Sequence, residues 1–404
     1  MKKIILKIKI LLKDKILLGF INRLRFGPRR KTVSLAEMRE RKYNVTVQEI
    51  FPVTQSELII DPTLLALTNV TEIENYKPQY TINPVYIADI RKGRLMTDYS
   101  DIAIMTEDRY LVENFSIHYN SGFSSQGSLR VWGSSSQSKN NLYFRNFYYP
   151  PKKINGTVLN MHTGGGGWSY FHFLLDVLPG IHLAEKAGLL KDVDFFYFQS
   201  MNKKFQIEII SLLGIDQKKV ITQDDTYHFE TERLITFTHP GEFYHIPLWA
   251  IKYLRDTFLS KISPDKKQFS KIFVSRKDSI SGRYIVNEDE IFNKLEPLGY
   301  KKIVLSDYSF LDQVKIFNSA DVIISPHGAG LGNLTFCMPN TLIIEIFNDV
   351  FITPVFHCLS KRLNLRHTFF VTSGYEANRR NDAGYAHLFI DENKLFDILR
   401  KNGY

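Results

Sequence analysis

DVIISPHGAGLGNLTFCMPNTLIIEIF, Asp321 to Phe347, is the stretch whose reading decides the fold. Its opening apolar run, Val322 to Ile324, is the kind that makes a strand buried on both faces. The run breaks at Pro326-His327-Gly328-Ala329-Gly330, and after a helix-sized interval a second buried strand is expected from Leu342 to Ile346. Strand, small-residue turn, helix and strand form a crossover unit. Its turn lies at the carboxyl end of a strand, where open α/β sheets bind ligands. Gly328, Ala329 and Gly330 carry little or no side chain, so the backbone can approach an anion and point free N–H groups at it. His327 adds a side-chain donor at the mouth, and Glu345, read as ending the next strand, suits a ribose hydroxyl. An ordinary αβ turn over a buried histidine is the alternative reading of the same residues.

On both sides of this unit the alternation is regular. Upstream, Ile272 to Val274 and Lys302 to Leu305 read as strands, with helices at Glu288 to Leu295 and Ser309 to Ser319. Downstream follow a helix near Val355 to Leu363, a strand Thr368 to Val371 and a closing helix Glu392 to Lys401. Strands and helices alternating through short loops predict a parallel, doubly wound domain. A second set begins near residue 155, with strands Val158 to Met161, Asp194 to Gln199 and Arg233 to Phe237. Helical spacing runs over Trp168 to Ala187, Phe205 to Leu213 and Leu248 to Leu259, and Ser260 to Phe269 reads as the linker. Residues 32–150 show only short alternating segments such as Val45 to Gln48 and Leu129 to Trp132, with Ser/Gly-rich turns at 121–138.

At 404 residues the chain is long enough for two α/β domains with a core each. Its two cysteines, Cys337 and Cys358, form no zinc-like pattern. They read as buried thiols in a reducing compartment. Residues 1–31 hold eleven Lys or Arg and one acid, Asp14, which equals the net charge of +10 of the whole chain. The remainder is neutral, so the basic balance does not indicate nucleic-acid binding. The arm's longest uncharged apolar run, Ile16 to Ile21, is far short of a membrane span. No small-residue cleavage site follows it, which argues against a secretory signal. It reads as an interfacial helix on an anionic membrane, with a basic helix packed on its own protein as the alternative.

Two clusters carry chemistry. In HTGGGGWSYFHFLLDVLP (His162 to Pro179), four glycines follow a strand, and Gly165, Gly166, Gly167 and Trp168 read as part of a mobile or ligand-hugging loop, which falls on the acceptor side under the resemblance given below. Trp168, His172 and Asp176 stand at i, i+4 and i+8, so one helix would stack them on a face. Asp176 can orient His172 in a general-base arrangement, or act as the base itself. In the second cluster, SRK (Ser275 to Lys277), Arg283 and Asn287-Glu288, Arg276 sits at a strand end where it can make bidentate bonds to a phosphate. Lys277 and Arg283 add charge nearby, and Asn287 is a candidate N-cap.

SRK…R…NE, the helix with Gln313, PHGAGLGNLTFCMP, the IIEIF strand and the upstream H-x(3)-D-x-L-P together resemble glycosyltransferase family 61 over roughly residues 155–350. The resemblance implies a GT-B fold, two facing Rossmann-like domains with parallel sheets and a cleft between them. It implies an inverting transfer from a nucleotide sugar, typically UDP-linked, with no metal or other cofactor. Arg276, Lys277, Arg283, His327 to Gly330, Asn333 and Glu345 would then face the donor, and His172 and Asp176 the acceptor. Lys277 stands where a second Arg is common, and Ser169 where an Asn is common. No D-x-D pair stands on a strand-end loop of the C-terminal half, and Asp192-Val-Asp194 precedes its strand.

The expected organisation is a membrane-surface arm at 1–31, an acceptor-side domain at 32–262 and a nucleotide-sugar-binding domain at 263–404, with the last helix free to pack back on the first domain. The expected activity adds a sugar to a hydroxyl of a growing cell-surface polysaccharide, the acceptor possibly lipid-linked, on the cytoplasmic face of a bacterial membrane. A catalytically silent nucleotide-sugar-binding scaffold is the alternative. A dinucleotide oxidoreductase is disfavoured, because no G-x-G-x-x-G follows a strand. Oligomeric state and donor sugar are not legible.

Overall fold

The computed structural model describes residues 15, 17–29, 32–40, 43–69, 76–98, 101–118, 142, 145, 147–163, 165–241, 244–263, 266–279, 282–375 and 386–404. The strand expected at Leu129 to Trp132, the turns at 121–138, most of the basic arm, Gly164 and Pro264 lie outside them.

The second half follows the expected alternation closely. Five parallel strands lie in the order Lys301–Val304, Lys271–Ser275, Val322–Pro326, Leu342–Asn348, Arg366–Thr372. In chain order this is 2-1-3-4-5, the doubly wound arrangement whose switch point falls between its first and third strands. Those strands end at Ser275 and Pro326, so Arg276 and His327 leave the sheet side by side at the switch. Val322, Ile323 and Ile324 are fully buried, as a strand covered on both faces requires. The closing helix Glu392–Lys401 does not reach back to the first half. Its apolar stripe puts Leu395 and Leu399 into the cluster of Phe273, Ile291 and Ile344, on its own sheet.

The first half departs from the expected parallel sheet. Its parallel part runs His228–Phe237, Lys152–Asn160, Phe195–Phe198, Val220–Thr222, again with a switch point, here beside Lys152–Asn160. On the far side of His228–Phe237 the pairing turns antiparallel, with Val85–Arg91 and Arg94–Thr97 lying along it and Asp101–Met105 beyond. Thr97 and Asp101 are joined by three residues, which can only reverse the chain, since a parallel return needs a crossover of a dozen or more. Among the described residues the result is an eleven-stranded mixed sheet.

The two sheets share one apolar cluster. Leu159, Phe173 and Phe198 from the first half are continuous with Ile272, Val274 and Ile323 from the second. The helix Leu248–Leu259 bridges them, its Phe258 ring lying 4.8 Å from Phe310 and 6.2 Å from Phe336. Arg255 of the same helix donates to the carbonyls of Thr335 (2.8 Å) and Cys337 (2.7 Å). Leu58, Ile60 and Leu64, early in the chain, pack on Phe347, Ile352 and Cys358 of the second sheet. Both cysteines are free and buried. Among the described residues no helix is long and apolar enough to cross a membrane.

Candidate active site

His172 closes a three-residue helix, Tyr170–His172, and Asp176 sits in the π-helical turn Phe173–Val177 that follows. Such wide turns are frequent at functional sites. The expected pair forms, His172 Nδ1 to Asp176 Oδ2 at 2.6 Å. Trp168 does not join the stack. Ser169 caps the helix, its hydroxyl accepting from the His172 amide (3.5 Å), so the helix starts after Trp168 and leaves that ring 47% exposed.

Asp176 has a partner that sequence reasoning missed. His239, just past the strand His228–Phe237, places Nε2 3.6 Å from Asp176 Oδ1. Burial would raise the Asp176 carboxyl, but His172 and His239 outweigh it and hold it well below the usual range. At neutral pH Asp176 is therefore a carboxylate, placed to orient the His172 ring through Nδ1. His239 was open to the rule that singled out His327, a histidine directly after a buried strand. His162, just before the glycines, is buried against Thr97 (3.2 Å), and burial pushes its pKa down to about 4.

The loop glycines pack tightly and do not form an open loop. A Cβ on Gly165 would fall 2.9 Å from the His172 ring, one on Gly166 2.2 Å from Val177 Cγ2, and one on Gly167 2.8 Å from Gln199 Oε1. The glycines let the strand end lie directly on the His172 helix.

Across the shared core, the Tyr170 hydroxyl donates to Asn333 Oδ1 at 2.6 Å. Asn333 in turn donates to Gln313 Oε1 (3.0 Å) and the Gly330 carbonyl (3.1 Å). Fully buried, Asn333 ties the His172 helix to the HGAG turn. A second link is aromatic: Phe356 lies 5.5 Å from Phe171 and 5.2 Å from His327. The structure thus joins the His172 helix to the HGAG turn.

At the HGAG turn, Arg276 lies flat on Gly328, where an added Cβ would fall 1.7 Å from Nη1. Its Nη2 donates to Ser279 Oγ (2.8 Å), while Nε is buried with no hydrogen-bond partner. Arg276 forms no ion pair among the described residues, and burial, with Arg283 nearby, pushes its pKa down to about 10. Arg283, at φ 60°, stacks over Phe351 at 5.5 Å, and Phe351 in turn lies 5.5 Å from His327. Arg276 and Arg283 both act on His327 electrostatically. Two guanidinium groups held beside a glycine turn concentrate positive charge where an anion would offset it.

Three further residues of the second half are placed differently from expectation. Lys277 points away, to Asp289 (3.0 Å) and Glu288 (3.6 Å), because consecutive residues leaving a strand face opposite sides. Asn287 does not cap its helix; its side chain holds the Ile390 backbone through Nδ2 to the carbonyl at 2.9 Å. Glu345 is 0% exposed, since its strand continues to Asn348 and places it mid-strand. Its oxygens meet His327 Nδ1 (2.6 Å) and His367 Nε2 (2.9 Å) inside the protein. Among the described residues no three His, Cys, Asp or Glu side chains gather so as to hold a metal ion.

Residues 170–344, from the His172 helix into the strand of Glu345, match the family model described as Glycosyltransferase 61, so the resemblance read from the motifs holds over that stretch. The chain is 32% identical over 124 residues to a Beta-1,2-xylosyltransferase of Arabidopsis thaliana, covering 26% of this chain and 23% of that protein. It is 28% identical over 158 residues to the EGF domain-specific O-linked N-acetylglucosamine transferase of Mus musculus, covering 35% and 29%. A Beta-1,2-xylosyltransferase of Oryza sativa subsp. japonica matches at 27% over 179 residues, covering 40% and 31%. The similarity thus spans less than a third of each of these relatives. They are plant and animal proteins, not enzymes of bacterial surface polysaccharides.

Proposed function

We propose that the chain is an inverting, metal-independent glycosyltransferase of GT-B arrangement, moving a sugar from a nucleotide donor, UDP-linked, to a hydroxyl of a growing cell-surface polysaccharide. The observation that carries the reading is Arg276. It is a half-buried cation whose buried Nε has no hydrogen-bond partner among the described residues, pressed on a glycine turn at a topological switch point. The family match and relatives named for xylosyl and N-acetylglucosamine transfer support the sugar chemistry. His172 Nε2 takes the acceptor proton as its oxygen attacks the anomeric carbon, and the bond to the diphosphate breaks on the opposite face. Arg276, Arg283 and the turn's N–H groups carry the charge that the leaving group gains. Thermal-shift screening of UDP-, GDP-, CMP- and dTDP-sugars tests this. One series should stabilise the protein and be consumed on adding acceptor; binding without turnover would leave a silent scaffold.

The inner face of a cell membrane is the proposed location. Residues 17–26 are helical and held to the body through Asn22 and Tyr148 (3.0 and 2.6 Å), yet Leu17, Leu18, Phe20, Ile21 and Leu24 are exposed. Arg23, Arg25 and Arg29 flank them, the pattern of a helix lying in an anionic interface, where each basic residue adds about 1 kcal/mol. Deleting residues 1–26 should abolish sedimentation with phosphatidylserine vesicles and spare transfer to a soluble acceptor. The full chain should detach as salt rises. A truncated protein that still sediments would refute the anchor.

A further inference from the structure

Beside the helix of residues 17–26 the structure exposes three aromatic rings that the transfer reaction does not use. Phe147, Tyr149 and Tyr227 are 57, 63 and 48% exposed. They stand in file, Phe147 against Tyr149 at 5.9 Å and Tyr149 against Tyr227 at 6.1 Å, each pair edge to face. Rings in mutual contact make a contiguous apolar patch, which scattered exposed residues do not. Tyr148, between the first two, turns inward. Its ring is buried among Phe26, Met96 and Leu142, and its hydroxyl donates to the Leu142 carbonyl at 2.9 Å. Alternate residues of an extended segment face opposite ways, so burying Tyr148 puts both neighbours outside. The Tyr149 carbonyl accepts from Nδ1–H of His228, the residue after Tyr227, at 2.6 Å, so a fixed frame carries the rings.

The patch adjoins the helix directly. Asn22 clasps the Tyr148 backbone, donating to its carbonyl at 3.0 Å and accepting from its N–H at 2.6 Å. Leu18, Asn22 and Phe26 stand at i, i+4 and i+8 on one helical face. Phe26 packs in the cluster around Tyr148 and Asn22 is bonded, while Leu18, on the same face, is 64% exposed. The exposed apolar side of the helix therefore continues into the rings. The surroundings are basic, with Arg25 and Arg29 exposed at the helix end and Lys152 and Lys153 exposed at the start of their strand. Acids in this neighbourhood are engaged: Asp98 by Arg145 (2.7 Å), Glu230 by Arg94 (2.7 Å) and Asp225 by the Thr222 amide (2.8 Å).

We propose that Phe147, Tyr149 and Tyr227 are a second membrane-binding element, a shelf that enters the headgroup region of an anionic bilayer beside the 17–26 helix and fixes the orientation of the body on it. This rests on the reading of that helix as an interfacial anchor. Phenylalanine and tyrosine suit the boundary, since the ring enters the apolar side while the tyrosine hydroxyl stays among the headgroups. The basic side chains around the rings match anionic lipid. A lone helix attaches the body along one line, about which it can roll, and contacts beside that line stop the roll. Helix and shelf share one frame, so once the helix is bound the rings meet the bilayer at high effective concentration and add affinity without a conformational change. Three rings offer little area by themselves, so the helix remains necessary.

Both native cysteines are buried, so a nitroxide can be placed selectively in Phe147→Cys and Tyr227→Cys of the full-length protein. Leu298→Cys, 47% exposed in the turn after Glu288–Leu295, serves as a reference that stays in water. On phosphatidylserine vesicles, power-saturation electron paramagnetic resonance should show the first two labels gaining collisions with oxygen and losing them with a water-soluble nickel chelate. The reference label should not change. The triple variant Phe147→Ser, Tyr149→Ser, Tyr227→Ser should bind vesicles about ten- to a hundredfold more weakly, with an unchanged melting temperature and unchanged transfer to a soluble acceptor. Full-length protein that sediments while both labels stay in water, or a triple variant that binds as tightly as the parent, would refute the shelf and leave the helix anchor standing. Protein that does not sediment at all would refute the anchor and the shelf with it. Labels immobilised by a soluble oligosaccharide and not by vesicles would make the rings a glycan platform and overturn the proposal.

Discussion

His172→Ala is expected to lower kcat by about 10²–10⁴-fold, the usual contribution of a positioned general base, and to leave the donor KM nearly unchanged. The reasoning starts at Asp176, whose carboxylate is held well below the ordinary range by two histidines. Such a carboxylate is a weak base but a good orienter, so His172 is the expected base. Asp176→Asn should therefore also lower kcat strongly, because an amide presents either N–H or C=O to His172 and no longer enforces one tautomer. Steady-state kinetics with folding checked by circular dichroism decide the matter. Near-normal kcat in both variants would move the base elsewhere.

Arg276→Ala should act on the other substrate. Losing one charge-assisted donor is expected to weaken binding of the nucleoside diphosphate by about 1.5–3 kcal/mol, roughly ten- to a hundred-and-fifty-fold. Gly328→Ala gives an independent route to the same end. Its methyl group would overlap Nη1, but the obstacle is the tip of a flexible side chain, so the fold survives while the guanidinium is displaced. Both variants should lose affinity by calorimetric titration and keep a native melting temperature within a few degrees. An unchanged dissociation constant in Arg276→Ala would remove that residue from the site.

What could be read from the sequence was what local periodicity records. Glu288–Leu295 and Leu248–Leu259 were delimited to the residue, because each carries an apolar stripe on a helical period. The strands of the second sheet were visible as apolar runs between turn residues. The mixed character of the first sheet was not, since Val85–Arg91 pairs with a strand more than 140 residues away and local pattern carries no record of a partner. The same limit governs the site. The His172–Asp176 pair spans one helical turn and was legible, whereas His327, Glu345 and His367 meet only through strand pairing. Glu345 was misread because a run ending in IIEIF does not show that the strand continues to Asn348.

The continuous apolar cluster beneath both sheets bears on how the molecule moves and melts. Swinging the halves apart would pull Phe258 off Phe310 and Phe336 and strip the Thr335 and Cys337 carbonyls of Arg255, exposing core to water. Any opening is then expected to proceed by loop displacement around a fixed frame, not by a hinge. For the same reason the two halves share one cooperative unit, and heat should dissolve them together in a single transition.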